Sequence, residues 1–302
     1  MFETAVQSVL EALKSGRILG RNCRASRSSL MSLVEGPRAQ KEKTGQITGR
    51  LTGPLDVSAE MQRAPETLAR REATPAPAEN RSPGEERFLE SPLLERAARV
   101  AAWEDLEARV AACRECPELT CSRNRPVRGC GDVESPVLFV EEAPSPGQDA
   151  DGHIAAGDAA ELFEKILKAM GLTREQVFVV HAVRCLPPRL AGDERHRKPL
   201  SEEVDACRAH LRELVRLIRP RVIVALGSLA ARGILRTQEP VARLRSQWRE
   251  WGGIPVMATF HPSYLIENKD LAIKRKVWED LLQVMEKLEM PISAKQRGFF
   301  LK

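Results

Sequence analysis

The chain has 302 residues, enough for one large domain or two modest ones, and its 42% hydrophobic content permits a packed core. Aromatic residues make up 4% with a single Tyr, which argues against an aromatic-rich RNA-stacking surface, and no apolar run approaches the roughly 20 residues of a transmembrane helix. The net charge of +5 suits a polyanionic partner without requiring one.

Residues 1–20 pattern as an amphipathic helix, with Phe2, Val6, Val9, Leu10 and Leu13 near one face, and are a candidate partner-binding segment. They lack the basic start and apolar core of a secretion signal. With seven cysteines, an odd number, this predicts a reducing, cytoplasmic compartment of bacterial type. Residues 21–91 are rich in Pro, Ser, Arg, Glu and Gly and read as a disordered linker, most clearly ATPAPAENRSPG at 73–84. Residues 92–290 read as the globular domain and 291–302 as a tail. A helix is expected over 92–112, carrying Leu93, Leu94, Ala97, Val100, Ala101, Leu106 and Val110.

Four short, almost continuously apolar runs follow, at 136–140, 177–183, 221–226 and 254–260, as expected for strands with helices on both faces. Helical patterns lie between and after them at 158–170, 201–218, 228–235 and 271–288, with Ser201 and Ser228 as helix starts. The alternation predicts a three-layer α/β/α domain around a central four-stranded parallel sheet. In such sheets the site lies at the carboxyl ends of the strands, so the loops of interest begin at Glu141, Cys185, Gly227 and His261.

Four cysteines come from distant parts of this pattern. Cys113 and Cys116 form a C-x2-C pair, Cys185 ends a strand and Cys207 lies on the next helix. A local zinc module keeps its ligands together, and Cys113, Cys116, Cys121 and Cys130 offer that competing set. Four thiolates are also the usual complement of an iron–sulfur cluster. Cys23 reads as a free thiol. The loop at 141–152, EEAPSPGQDADG, is dense in Pro and Gly and suited to close approach to a ligand. His261, at the end of the last strand and followed by Pro262 and Ser263, is placed to donate to developing negative charge.

As an ordered set these residues resemble the iron–sulfur uracil-DNA glycosylases known as family 4. The matches run from Cys113 and Cys116 through Glu142, Ala143, Pro144, Asp149, Gly152 and Gly157. They continue at Arg184, Cys185, Pro187, Pro188 and Cys207, and end at Gly227, His261, Pro262, Ser263 and Trp278. The resemblance spans roughly residues 93–289 and implies the glycosylase fold, base excision repair as the process, and DNA, single-stranded or as damaged duplex, as the partner of a nucleoid-associated monomer. It implies a [4Fe–4S] cluster on Cys113, Cys116, Cys185 and Cys207, with residues 191–197 as a small insertion between the last two. Carried over residue by residue, His261 stabilises the departing base, and Gln148 falls where the family has its water-handling acid. That leaves Asp149 or Glu142 for the water. Ala155 falls at the stacking aromatic, His181 at the base-reading Asn, and Pro144 beside them in the first loop. Glu141 and Ser145 replace two loop glycines. Ser263 and Leu265, the latter as a wedge, are implied DNA contacts, and by charge alone Lys274, Arg275, Lys276 and Arg184 are candidate phosphate contacts. Two functions remain open: a glycosylase with specificity shifted from uracil, or a catalytically impaired iron–sulfur DNA-binding module.

Overall fold

A computed structural model describes residues 87–89, 92–190 and 192–301, so the expected helix at 1–20, most of the linker at 21–91, and Cys23 lie outside the described residues. The linker ends earlier than composition suggested. Phe88 is fully buried, meets the Trp251 ring edge-on with centroids 4.9 Å apart, and donates its N–H to the Gly252 carbonyl at 3.1 Å. One aromatic side chain is enough to tie that segment to the domain, because it buries so much apolar area.

The chain enters through α1 (Arg96–Ala112) and α2 (Pro117–Ser122), then β1 (Cys130–Gly131) and β2 (Val137–Glu141). After α3 (Pro146–Asp151) and α4 (Asp158–Met170) come β3 (Phe178–His181), α5 (Ser201–Ile218), β4 (Val222–Leu226) and α6 (Ser228–Leu235). The remainder is α7 (Val241–Leu244), β5 (Arg249–Trp251), β6 (Ile254–Thr259), α8 (Pro262–Glu267), α9 (Leu271–Lys287) and α10 (Ala294–Arg297).

The sheet order is β1-β3-β2-β4-β6-β5. The four inner strands are parallel, as the apolar runs predicted, and the short strands β1 and β5 add antiparallel edges that the sequence reading missed. Runs of two and three residues carry too little periodicity to be recognised. Alternation along the inner strands sends Leu138, Val140, Phe178, Val180, Ile223 and Ala225 into one core with residues of α1, α5 and α6. Their neighbours Val137, Phe139, Val177, Val179, Val222 and Val224 enter the other core, with α4 and α9. With both faces covered, no inner strand needs a polar side, which is why these runs are unbroken.

Ser201 and Ser228 are the first residues of their helices, as expected, and the caps before them are Leu200 and Gly227. The Glu203 carboxylate accepts the Leu200 N–H at 2.7 Å, and the Ser228 hydroxyl accepts the Val241 N–H at 3.0 Å. Residues 188–190 and 192–197, which include the described part of the insertion, are held together by Leu190 N–H to Arg195 O (2.8 Å) and Arg197 N–H to Pro188 O (3.0 Å).

Candidate active site

Register places Glu141 opposite His181 at the carboxyl ends of β2 and β3. Both side chains are buried, and His181 Nε2 lies 3.3 Å from Glu141 Oε2. That contact is an ion-pair distance without hydrogen-bond alignment, so both ring nitrogens of His181 lack a hydrogen-bond partner. Burial alone would raise the Glu141 pKa, but His181 beside it, with His261 and Arg174, holds it below the usual carboxylate range. Burial also pushes His181 below its usual value, and the Glu141 carboxylate only partly opposes this. Near neutral pH the pair is therefore a carboxylate and a neutral imidazole.

The third member, His261, is half-buried and caps α8. Its Nδ1 accepts the Ser263 backbone N–H at 3.2 Å and lies 2.8 Å from the Ser263 hydroxyl. A nitrogen that accepts a backbone N–H carries no proton of its own, so the neutral ring has its proton on Nε2. His261 is near enough to influence the charge of both Glu141 and His181. The sequence reading flagged His181 and His261 but treated Glu141 only as an intruding side chain. Its position at a strand end beside His181 was the available signal.

The first loop is held rigidly by its own side chains. Ser145 and Gln148 form a capping box at the start of α3, with Gln148 Oε1 accepting the Ser145 N–H at 2.9 Å. Gln148 Nε2 donates to the Ile154 carbonyl at 2.7 Å, so both ends of this buried side chain are engaged. Asp149 is buried too and accepts from Asn124, through the backbone N–H at 3.0 and 3.2 Å and through Nδ2 at 2.6 Å. Glu142 Oε1 accepts the Leu229 N–H at 2.9 Å in the first turn of α6. Gly227 (φ +99°) is required there, since a Cβ would collide with the Glu142 carboxylate. The two carboxylates expected to handle water are thus a loop clasp and a helix-end acceptor. Pro144 is buried at the loop base, and Ala155 is exposed.

The packing engages several of the expected DNA contacts within the protein. Leu265 is 6% exposed and belongs to the core beside α9, whereas Tyr264 and Ile266 on either side are exposed. Arg275 is committed to Glu279 (2.9 Å) and to the carbonyls of Arg297 and Phe299. Arg184 is buried, donating to both Glu107 oxygens at 2.8 and 2.6 Å and to the Val127 carbonyl at 2.6 Å. Ser263 serves His261. Lys274 is half-buried and lines a cavity of about 470 Å³ between α4, α8, α9 and Phe300, which neither histidine enters.

Cys113 caps α1, Cys116 precedes α2, Cys185 follows β3 and Cys207 lies inside α5, all as free thiols. They converge closely enough that neighbouring sulfurs help to raise the pKa of Cys116, Cys185 and Cys207. Burial followed by the neighbouring sulfurs lifts Cys116 to about 11, and Cys207 to about 12 despite a hydrogen bond from the Arg184 backbone. Arg123 donates to Cys185 Sγ at 2.6 Å and to the Cys113 carbonyl at 2.7 Å. Among the described residues no group of three or more Cys, His, Asp or Glu closes tightly enough for one metal ion, which holds for the local set and the distant four alike, and Cys130 is exposed on β1. Two buried and two half-buried thiols drawn from four segments are the donor type and number of a cluster that takes one thiolate per iron.

The family described as the Uracil DNA glycosylase superfamily matches residues 128–282, just over half of the chain. The type-4 uracil-DNA glycosylase of Thermotoga maritima is 34% identical over 180 residues, covering 59% of this chain and 90% of that protein. The enzymes of the same name from Archaeoglobus fulgidus and Saccharolobus solfataricus are 31% and 29% identical, over 56% and 59% of this chain and 85% and 83% of theirs.

Proposed function

This chain belongs to the uracil DNA glycosylase superfamily as a type-4 member, and from that premise we propose that it hydrolyses the N-glycosidic bond of a deaminated base in DNA, a step of base excision repair. The observation that carries this reading is His261, held by Ser263 in the tautomer that leaves an Nε2–H donor at the end of the last parallel strand.

A base inside the stack is out of reach, so the nucleotide is flipped into the site, most readily from single-stranded or damaged DNA. When the glycosidic bond breaks, its electron pair stays with the base, and the His261 Nε2–H donates to the base oxygen where negative charge gathers. Water then adds to the sugar cation, and its proton is released to solvent, leaving an abasic site. Gln148 accepts no proton at neutral pH, and Asp149 and Glu142 already accept N–H groups. Stabilisation of the leaving base therefore carries more of the rate than general-base catalysis. Ala155, exposed where a stacking ring would stand, leaves room for a larger base and favours a specificity widened from uracil to deaminated purines.

Cys113, Cys116, Cys185 and Cys207 would hold a [4Fe–4S] cluster, and its iron–thiolate bonds would pin α1 and α2 to α5 and to the segment after β3. The engagement of Gln148, Asp149 and Glu142 also favours the second reading, a DNA-binding module that no longer cleaves. Excision assays on single-stranded oligonucleotides carrying uracil, hypoxanthine or xanthine separate the two. Abasic product from at least one supports the glycosylase. DNA binding without product supports the module.

A further inference from the structure

Residues 123–128 run between the cysteine site and the first loop and bond to both. Arg123 donates to Cys185 Sγ at 2.6 Å and to the Cys113 carbonyl at 2.7 Å, and its N–H closes α2 on the Leu119 carbonyl at 3.0 Å. Asn124, the next residue, holds the buried Asp149 carboxylate of α3 through its backbone N–H and Nδ2. Val127 N–H donates to the Arg184 carbonyl at 2.7 Å, and Arg184 Nε returns to the Val127 carbonyl at 2.6 Å, one residue before Cys185. Arg128 N–H reaches the Gly152 carbonyl at 3.4 Å, where α3 ends.

Nothing in the packing calls for a guanidinium against a sulfur. A neutral thiol is a weak acceptor, and among the described residues no carboxylate pairs with Arg123. A half-buried cation that meets one carbonyl and a neutral thiol is left without a counter-charge. A cysteine that binds iron is a thiolate, and against a thiolate the same N–H makes a charge-assisted bond. Arg123 thus matches Cys185 as a cluster ligand better than as a free thiol.

We infer that Arg123 is the positioning residue that makes the order of the first loop depend on a filled cysteine site. Its guanidinium anchors on the charged Cys185 sulfur, and Asn124, fixed by that anchor, clasps Asp149. The inference rests on the [4Fe–4S] reading and adds to it the residues that connect the cluster to the loop. The link is short because the two residues are adjacent. Arg123 is extended (φ −74°, ψ 150°), so consecutive side chains leave the backbone on opposite sides, one toward the sulfur and the other toward α3. Losing the charge on the sulfur frees the guanidinium, and the Asn124 backbone then loses its anchor. Asp149 donates its N–H to the Ser145 carbonyl at 2.9 Å and lies one turn before Gly152, so a loosened clasp releases the whole of this short helix. The same bond bears on the cluster, since a cationic donor to a ligand sulfur stabilises the more negative, reduced form and raises the reduction potential.

The test uses the full chain, purified anaerobically, and two readouts: the midpoint potential of the cluster and amide hydrogen exchange over residues 145–152. Arg123→Gln removes the charge and keeps an amide donor, Arg123→Lys keeps the charge, and Asn124→Ala removes Nδ2 from the clasp. Arg123→Gln is expected to lower the potential and to speed exchange of the α3 amides about tenfold, as for the loss of one hydrogen bond. Arg123→Lys should hold the potential near that of the unaltered chain. Asn124→Ala should speed the exchange by a similar factor and leave the potential unmoved. Loss of iron from Arg123→Gln, with iron kept in Arg123→Lys, also supports the anchor. An unmoved potential in iron-loaded Arg123→Gln, or unchanged α3 exchange in either Arg123→Gln or Asn124→Ala, overturns the inference and leaves the cluster reading standing. An unaltered chain that holds no iron defeats both.

Discussion

Replacing Arg184 by Met separates a buried structural cation from a phosphate contact. The guanidinium makes three hydrogen bonds, two to Glu107 and one to the Val127 carbonyl, and the paired side chains are only 4% and 6% exposed. Methionine fills similar volume but strands the Glu107 carboxylate, which keeps only the Trp103 Nε1–H at 3.2 Å and the long Gly129 N–H contact at 3.4 Å. Breaking one side of such a pair costs about 3–5 kcal/mol, because a buried charge is left uncompensated. For a domain of this size that corresponds to a fall in Tm of about 6–20 °C. The measurement is urea unfolding of Arg184→Met, with Arg184→Met/Glu107→Leu as the companion that removes both charges and should recover most of the loss. DNA affinity of the folded variant should keep its salt dependence. A loss under about 1 kcal/mol, together with a salt slope shallower by about one, would instead identify Arg184 as a phosphate contact and refute the reasoning.

Leu265→Ala should cost about 2–5 kcal/mol in unfolding experiments, since it empties part of the core beside α9, while the folded variant still binds DNA. Full stability with lost DNA binding would restore the wedge. Acid should destabilise the fold. The folded state holds His181 below 6.5 and Glu141 below 4.5, so the unfolded chain takes up protons first as pH falls, and stability present above pH 6.5 declines below it. His210 is shifted down as well, so His181→Asn should lessen, not abolish, the fall in urea midpoint between pH 7 and pH 5.5. A midpoint that is flat or rises over that interval would contradict these assignments. Anaerobically purified protein should be brown and contain iron, and Cys207→Ser should lose both. A colourless zinc protein would overturn the cluster.

Much of the fold could be read from the residues because burial dictates composition. The inner strands are unbroken apolar runs since helices cover both faces, and α4, α5 and α6 begin and end at the expected residues. What escaped reading depended on single contacts. β1 and β5 are too short for periodicity, and Phe88 joined the domain through one ring against Trp251. At the site, identity and location were legible but partnership was not. Asp149 looked like a free acid until Asn124 was seen to clasp it, and Leu265, one position from two exposed side chains, turned inward. Glu141 gained a role only when the β2–β3 register set it beside His181. Side-chain direction at a strand end follows from register, and register follows from how the sheet assembles.

Single-turnover release of uracil or hypoxanthine from a single-stranded oligonucleotide, compared between the unaltered chain and His261→Ala, tests the central claim most directly. The account predicts abasic product from the unaltered chain and a rate about 10²–10³ lower without the imidazole, as for loss of one donor to a developing anion. No product from any deaminated base, or an unchanged rate in the variant, would contradict it.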